Sequence, residues 1–153
     1  MLRFHTKMIT EIFRKYIDII NESESLSVAQ LATISDEALD KEKGYGRSVP
    51  SNTFGWQANL ASAAYAKKII DSDETDIEKI SDAIHKGWWS VAQKFVDDPD
   101  QFDDTKKLRD EGKLDKKMQQ RIDQMVPYNQ LTNDQKEIDR IVARALLQAI
   151  RGQ

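Results

Sequence analysis

Between Ile77 and Phe95 the apolar side chains recur at three- and four-residue steps: Ile77, Ile80, Ile84, Trp88, Val91 with Ala92, and Phe95. Such spacing lines one face of an α-helix and scatters over both faces of a strand, so this stretch can bury its apolar side only as a helix. The same period recurs along the chain, and only 6 Gly and 3 Pro interrupt its 153 residues. An all-α fold follows: a compact bundle of five to six helices in a single domain over residues 1–153.

The stops and starts divide the chain. A helix is expected from about Lys7 to Ile20, with Met8, Ile9, Ile12, Phe13, Tyr16, Ile19 and Ile20 on one face. Ser27 with Gln30 forms a capping box, because hydroxyl and amide can each satisfy an orphan backbone N–H. It opens a stretch through Val28, Leu31 and Leu39 that ends before Gly44. After the Gly44–Gly55 loop, Trp56, Leu60, Ala63, Ala64 and Ile70 mark another helix. Thr75 with Glu78 reads as the capping box of the Ile77–Phe95 helix, and Asp97-Asp98-Pro99-Asp100 stops it. Leu114, Met118, Ile122 and Met125 suggest a short helix, and Thr132 with Gln135 caps the last, which buries Ile138, Ile141, Val142, Ala145, Ala149 and Ile150. No strand pattern emerges.

Composition removes several classes of function. Leu, Ile, Val and Phe number 36 of 153 residues, enough to bury a core. The 23 basic and 26 acidic residues, for a net charge of −3, leave no basic excess for general nucleic-acid binding. With no Cys there is no disulfide, thiolate nucleophile or zinc-thiolate site. Apolar runs of at most four residues cannot span a bilayer, and Arg3, Lys7, Glu11 and Arg14 leave no uncharged signal-peptide core. A cytoplasmic protein with no nucleic-acid or membrane partner is the expectation.

No phosphate-binding glycine loop, His-Glu-x-x-His pair or nucleophile elbow is present, and His5 and His85 lie far apart. No catalytic residue, metal site or cofactor is assigned. Asp71, Glu74, Glu78 and Asp82 fall near one helix face, as magnesium-binding carboxylates do in all-helical nucleotide hydrolases, but no matching pair stands elsewhere; a solvated face is the simpler meaning. In the Gly44-Tyr45-Gly46-Arg47-Ser48 loop, Tyr45 offers a stacking face and Arg47 a cationic fork. Trp88 belongs to the apolar stripe. Trp89 stands about 100 degrees off it, one turn above His85, and an exposed indole there calls for a cover: another helix, a second copy of the chain, or a flat ligand.

Val126-Pro127-Tyr128-Asn129-Gln130-Leu131, then Lys136-Glu137-Ile138-Asp139-Arg140, and Leu147-Gln148-Ala149-Ile150 closing the last helix, resemble the C-terminal signature of the RyR domain family. That module is named for its repeats in ryanodine receptors and also stands alone in bacteria and phages. Ile84-His85-Lys86-Gly87-Trp88 is similar to the family's Ile-His-x-x-Trp motif. The resemblance covers about Ile77 to Ile150, giving a RyR-like module over 74–151 and a helical N-terminal part over 1–73 without a counterpart. In place of the family's Gly-Trp-x-Tyr-Gly stretch stands a charged segment from Asp97 to Gln124.

The resemblance implies a non-enzymatic module that recognises or sequesters a small nucleotide-derived ligand, a signalling nucleotide in phage–host conflict being one such. The matching positions are His85, Trp88, Tyr128, Lys136, Asp139 and Arg140. Their chemistry agrees, since aromatics can stack a base while Lys136 and Arg140, one helical turn apart, can hold phosphate. They can equally fix a turn, with Asp139 paired to Arg140 or Lys136. Two other classes remain open. One is a protein-interaction or virion-associated part that self-associates through the aromatic patch. The other is a magnesium-dependent nucleotide hydrolase working through Glu78.

Overall fold

The structure, a computed structural model, describes residue 12 and residues 25–152. Apart from residue 12, the helix expected from Lys7 to Ile20 lies outside the described residues. Six α-helices follow: α1 (Val28–Lys43), α2 (Phe54–Asp71), α3 (Ile77–Asp97), α4 (Thr105–Asp110), α5 (Leu114–Asp123) and α6 (Asn133–Arg151). Single 3₁₀ turns stand at Pro99–Gln101 and Tyr128–Gln130, and no strand occurs among the described residues. The all-helical bundle is as the sequence implies. Among the described residues, no helix is long and apolar enough to cross a membrane.

Two capping boxes form where expected. The Ser27 hydroxyl accepts the Gln30 N–H at 3.1 Å while Gln30 Oε1 accepts the Ser27 N–H at 2.8 Å, and Thr132 with Gln135 repeats the exchange at α6. The third does not. At α3 the cap is Asp76, whose carboxylate accepts the N–H groups of Glu78 and Lys79 at 2.8 and 3.4 Å, so the Glu78 side chain is left for another partner. The α4 helix has no counterpart in the sequence reading, because Leu108 is the only apolar side chain in its six residues and shows no period.

The Ser72–Asp76 link folds α2 and α3 into an antiparallel pair, with Phe54 against Phe95 at one end and Ser62 against Gly87 midway. The two backbones nearly touch there. A Cβ on Gly87 would lie 2.6 Å from the Ala61 carbonyl oxygen and 2.7 Å from the Ser62 Cα, and the Ser62 hydroxyl donates to the Ile84 carbonyl at 3.1 Å. α1 and α6 pack across this pair, enclosing Leu31, Trp56, Ile70, Ile80, Ile84, Val142 and Leu146. A second cluster of Phe54, Val91, Phe95 and Phe102 is roofed by Arg121 of α5. Its guanidinium lies 3.6 and 4.2 Å from the Phe54 and Phe95 ring centres. Desolvation there lowers its pKa to about 10 against the opposing charge of Asp104.

Gly87→Ala tests the close approach. Helix propensity alone favours Ala by about 1 kcal/mol, whereas forcing a methyl between two packed backbones costs about 1–3 kcal/mol. The expected outcome is a net loss of stability, read as a lower urea midpoint with an unchanged slope.

Candidate functional site

His85, Trp88, Trp89, Tyr128, Lys136, Asp139 and Arg140 converge where α3, the Val126–Gln130 turn and the first half of α6 meet. His85 is buried in α3, and its Nε2 lies 2.7 Å from the Val126 carbonyl oxygen. A carbonyl only accepts, so Nε2 carries the proton and Nδ1 turns toward Asp139, whose Oδ2 is 4.0 Å away. Burial lowers the His85 pKa, against the Val126 hydrogen bond and the charge of Asp82, which keeps the ring neutral. Burial likewise pushes the Asp139 carboxyl up to about 7.

Trp88 stacks on the imidazole, with ring centres 5.6 Å apart and planes 13° apart, and meets Phe54 edge-on. Trp89 is not an exposed indole. It is half-buried and tilts against His85 with centres 5.9 Å apart. Residues three and four apart are neighbours on a helix surface, so both indoles reach the one imidazole. A small cavity of about 80 Å³ remains among His85, Trp88, Gln124, Leu131, Gln135, Ile138 and Asp139.

Glu78, two turns before His85 on α3, holds the outer half of the junction together. It accepts the Tyr128 hydroxyl at 2.7 Å and is gripped by Arg140 through Nη2 at 2.6 Å and Nε at 3.0 Å. The Arg140 guanidinium, then the Tyr128 hydroxyl, hold the Glu78 carboxyl down at about 2. Tyr128 rises to about 12, first from its own burial and then from Glu78. Arg140 also approaches Glu137 at 3.6 Å, and Glu137 pairs with Arg144 at 2.6 Å. The Lys136 ammonium stands 5.6 Å from the Tyr128 ring centre and makes no ion pair among the described residues.

These contacts redistribute the expected roles. Arg140 is committed to Glu78 and does not share a phosphate-ready edge with Lys136. Asp139 faces His85 rather than Arg140 or Lys136. Tyr128 is 7% exposed, so its ring is a wall and not an open stacking platform. Glu78 as a hub was missed by sequence reasoning, although its seven-residue step from His85 places both on one face of α3. Tyr45 and Arg47 do not join the junction. Arg47 pairs with Glu37 of α1 at 2.6 Å, Asp36 and Asp40 accept the Ser48 and Gly46 N–H groups, and Tyr45 points into solvent at 59% exposure.

Each carboxylate of the acidic run has its own cation: Asp71 with Lys67, Glu74 with Lys79, Glu78 with Arg140 and Asp82 with Lys86. Among the described residues no three His, Asp or Glu side chains are grouped as a metal site would require. Above the junction, between α3 and the turn, runs a groove of about 670 Å³ lined by Glu78, Lys79, Asp82, Lys86, Pro127, Tyr128, Asn129 and Lys136. Comparison with family models, with curated proteins and with solved structures finds no match.

Asp139→Asn checks the buried acid. The folded protein keeps the Asp139 proton up to about pH 7, whereas the unfolded chain releases it near 3.9, so this group's contribution is intact below about pH 4 and is lost as pH rises to 7. Asn needs no proton. The variant should therefore gain on wild type between pH 4 and 7, by about 1–4 kcal/mol at the plateau, in urea denaturation across that range. A difference independent of pH contradicts the buried neutral acid.

Proposed function

We propose that the protein is a non-enzymatic binding module for a small, phosphate-bearing, nucleotide-derived ligand, seated in the groove between α3 and the Val126–Gln130 turn. The observation that carries this reading is the cation set of that groove. Lys79, Lys86 and Lys136 line it together, and Lys136 has no ion pair among the described residues. A phosphate entering there meets an ammonium that breaks no ion pair to receive it and gives up at most its contact with the Tyr128 ring.

The RyR resemblance supports the same class of ligand and gives its matching residues a different task. His85, Trp88, Tyr128, Asp139 and Arg140 build and stiffen the wall, while Lys136 contacts the ligand. A cytoplasmic setting accompanies this reading, as does the absence of turnover. Exposed Tyr45 and Val49, at 59% and 71% on a loop pinned to α1, favour a protein-contact surface as the second reading.

Thermal-shift and calorimetric titration with inorganic pyrophosphate and nucleotides test the proposal. A ligand at a hundredfold excess over its Kd adds about 2.7 kcal/mol to stability. Lys136→Ala should lower the affinity about tenfold or more, the worth of one charged hydrogen bond, with little change in the melting point of the free protein. Arg140→Ala should instead lower the melting point. If no phosphate compound stabilises the wild type, or Lys136→Ala binds as well, the groove reading fails and the protein-contact reading replaces it.

A further inference from the structure

The groove has cations but no open aromatic face, since Tyr128 is buried and Lys136 stands over its ring. Across α3 lies a second cleft of about 680 Å³, against α2. Lys79, Asp82 and Lys86 line both; their steps of three and four put them on one outward face, and the two lysines are about 10 Å apart along the axis. The apolar part of the second cleft's lining is Ala64, Ile69 and Ala83. Its side is Tyr65, a large ring left 42% exposed. Lys68 stands at its rim and, like Lys136, makes no ion pair among the described residues. The carboxylates at the clefts are already engaged: Glu74 accepts the Thr75 and Asp76 N–H groups and faces Lys79, Asp82 pairs with Lys86, and Glu78 is held by Arg140.

We infer that the two clefts are the halves of one site for a nucleoside diphosphate: the base lies on Tyr65 beside the apolar lining of Ala64 and Ala83, and the diphosphate crosses the Lys79–Lys86 row to Lys136. This rests on the phosphate-binding reading above. It places the stacking face that a nucleotide needs where a ring and an apolar lining are open to solvent, and it gives the phosphates cations on both sides of α3.

Calorimetric titration of the whole chain with pyrophosphate, ADP and UDP separates the two readings. At least one of ADP and UDP should bind about tenfold or more tightly than pyrophosphate, the scale of one base–aromatic stack. Tyr65→Ala should erase that advantage and leave pyrophosphate binding unchanged, whereas Lys136→Ala should weaken both. Tyr65→Leu, which keeps apolar bulk without the ring, should act as Tyr65→Ala does and serves if the smaller side chain lowers the melting point. If pyrophosphate binds through Lys136 but neither nucleotide binds more tightly, or if both Tyr65 variants keep the nucleotide's advantage, the base-binding half is overturned and the phosphate reading stands. If none of the three probes binds, both are overturned.

Discussion

A carboxylic acid at a helix junction is held by a cation where water still reaches it or keeps its proton where it is buried, and the junction of α3 and α6 uses both solutions. Glu78, with its side chain 53% exposed, keeps its charge because Arg140 presents two donors to it and Tyr128 a third. Asp139, with its side chain 15% exposed, has no such partner and keeps its proton instead. The two acids fix α6 against α3 in one register, since a slip along the helix would separate Arg140 from Glu78 and break the two-donor grip between the helices. The Val126–Gln130 turn is held between them by the His85 hydrogen bond to Val126 and the Tyr128 hydrogen bond to Glu78.

That arrangement decides what is left for a ligand. Residues whose chemistry suits a nucleotide are mostly spent on one another: Arg140 on Glu78, Trp88 on His85, Tyr128 between Glu78 and Lys136. The close α2–α3 approach at Gly87 turns the apolar stripe of α3 inward and sets the row of Lys79, Asp82 and Lys86 outward. Both large clefts open along this row. Binding chemistry therefore falls to the lysines and to Tyr65, outside the interlocked set.

The bundle was legible because its signals are local. A helical period and a Ser/Thr–Gln pair three residues apart act within one turn, and Ser27 and Thr132 cap as their neighbours dictate. Thr75 failed as a cap because Asp76 offers a carboxylate to the Glu78 N–H that the Thr75 hydroxyl would have taken, while the Glu78 side chain finds better partners 50 and 62 residues away in sequence. Such competition is not written in a local window. The same holds for the site. The motif spacing brought six residues to one place, but whether each faces a ligand or a neighbour depends on Glu78, which lies outside the motifs. Trp89 read as exposed because its angle on the helix lies off the stripe; the side chain curls back onto His85 and is half-buried.

The two acids hold the junction by opposite means, and a carbon-detected NMR titration of the carboxyl groups reads both at once. Asp139 should titrate near pH 7 and Glu78 near pH 2, moved in opposite directions from the ordinary carboxylate range. Both carboxyls titrating close to 4, as exposed side chains do, would contradict it, because neither a bidentate grip on Glu78 nor a buried Asp139 is compatible with an unshifted acid.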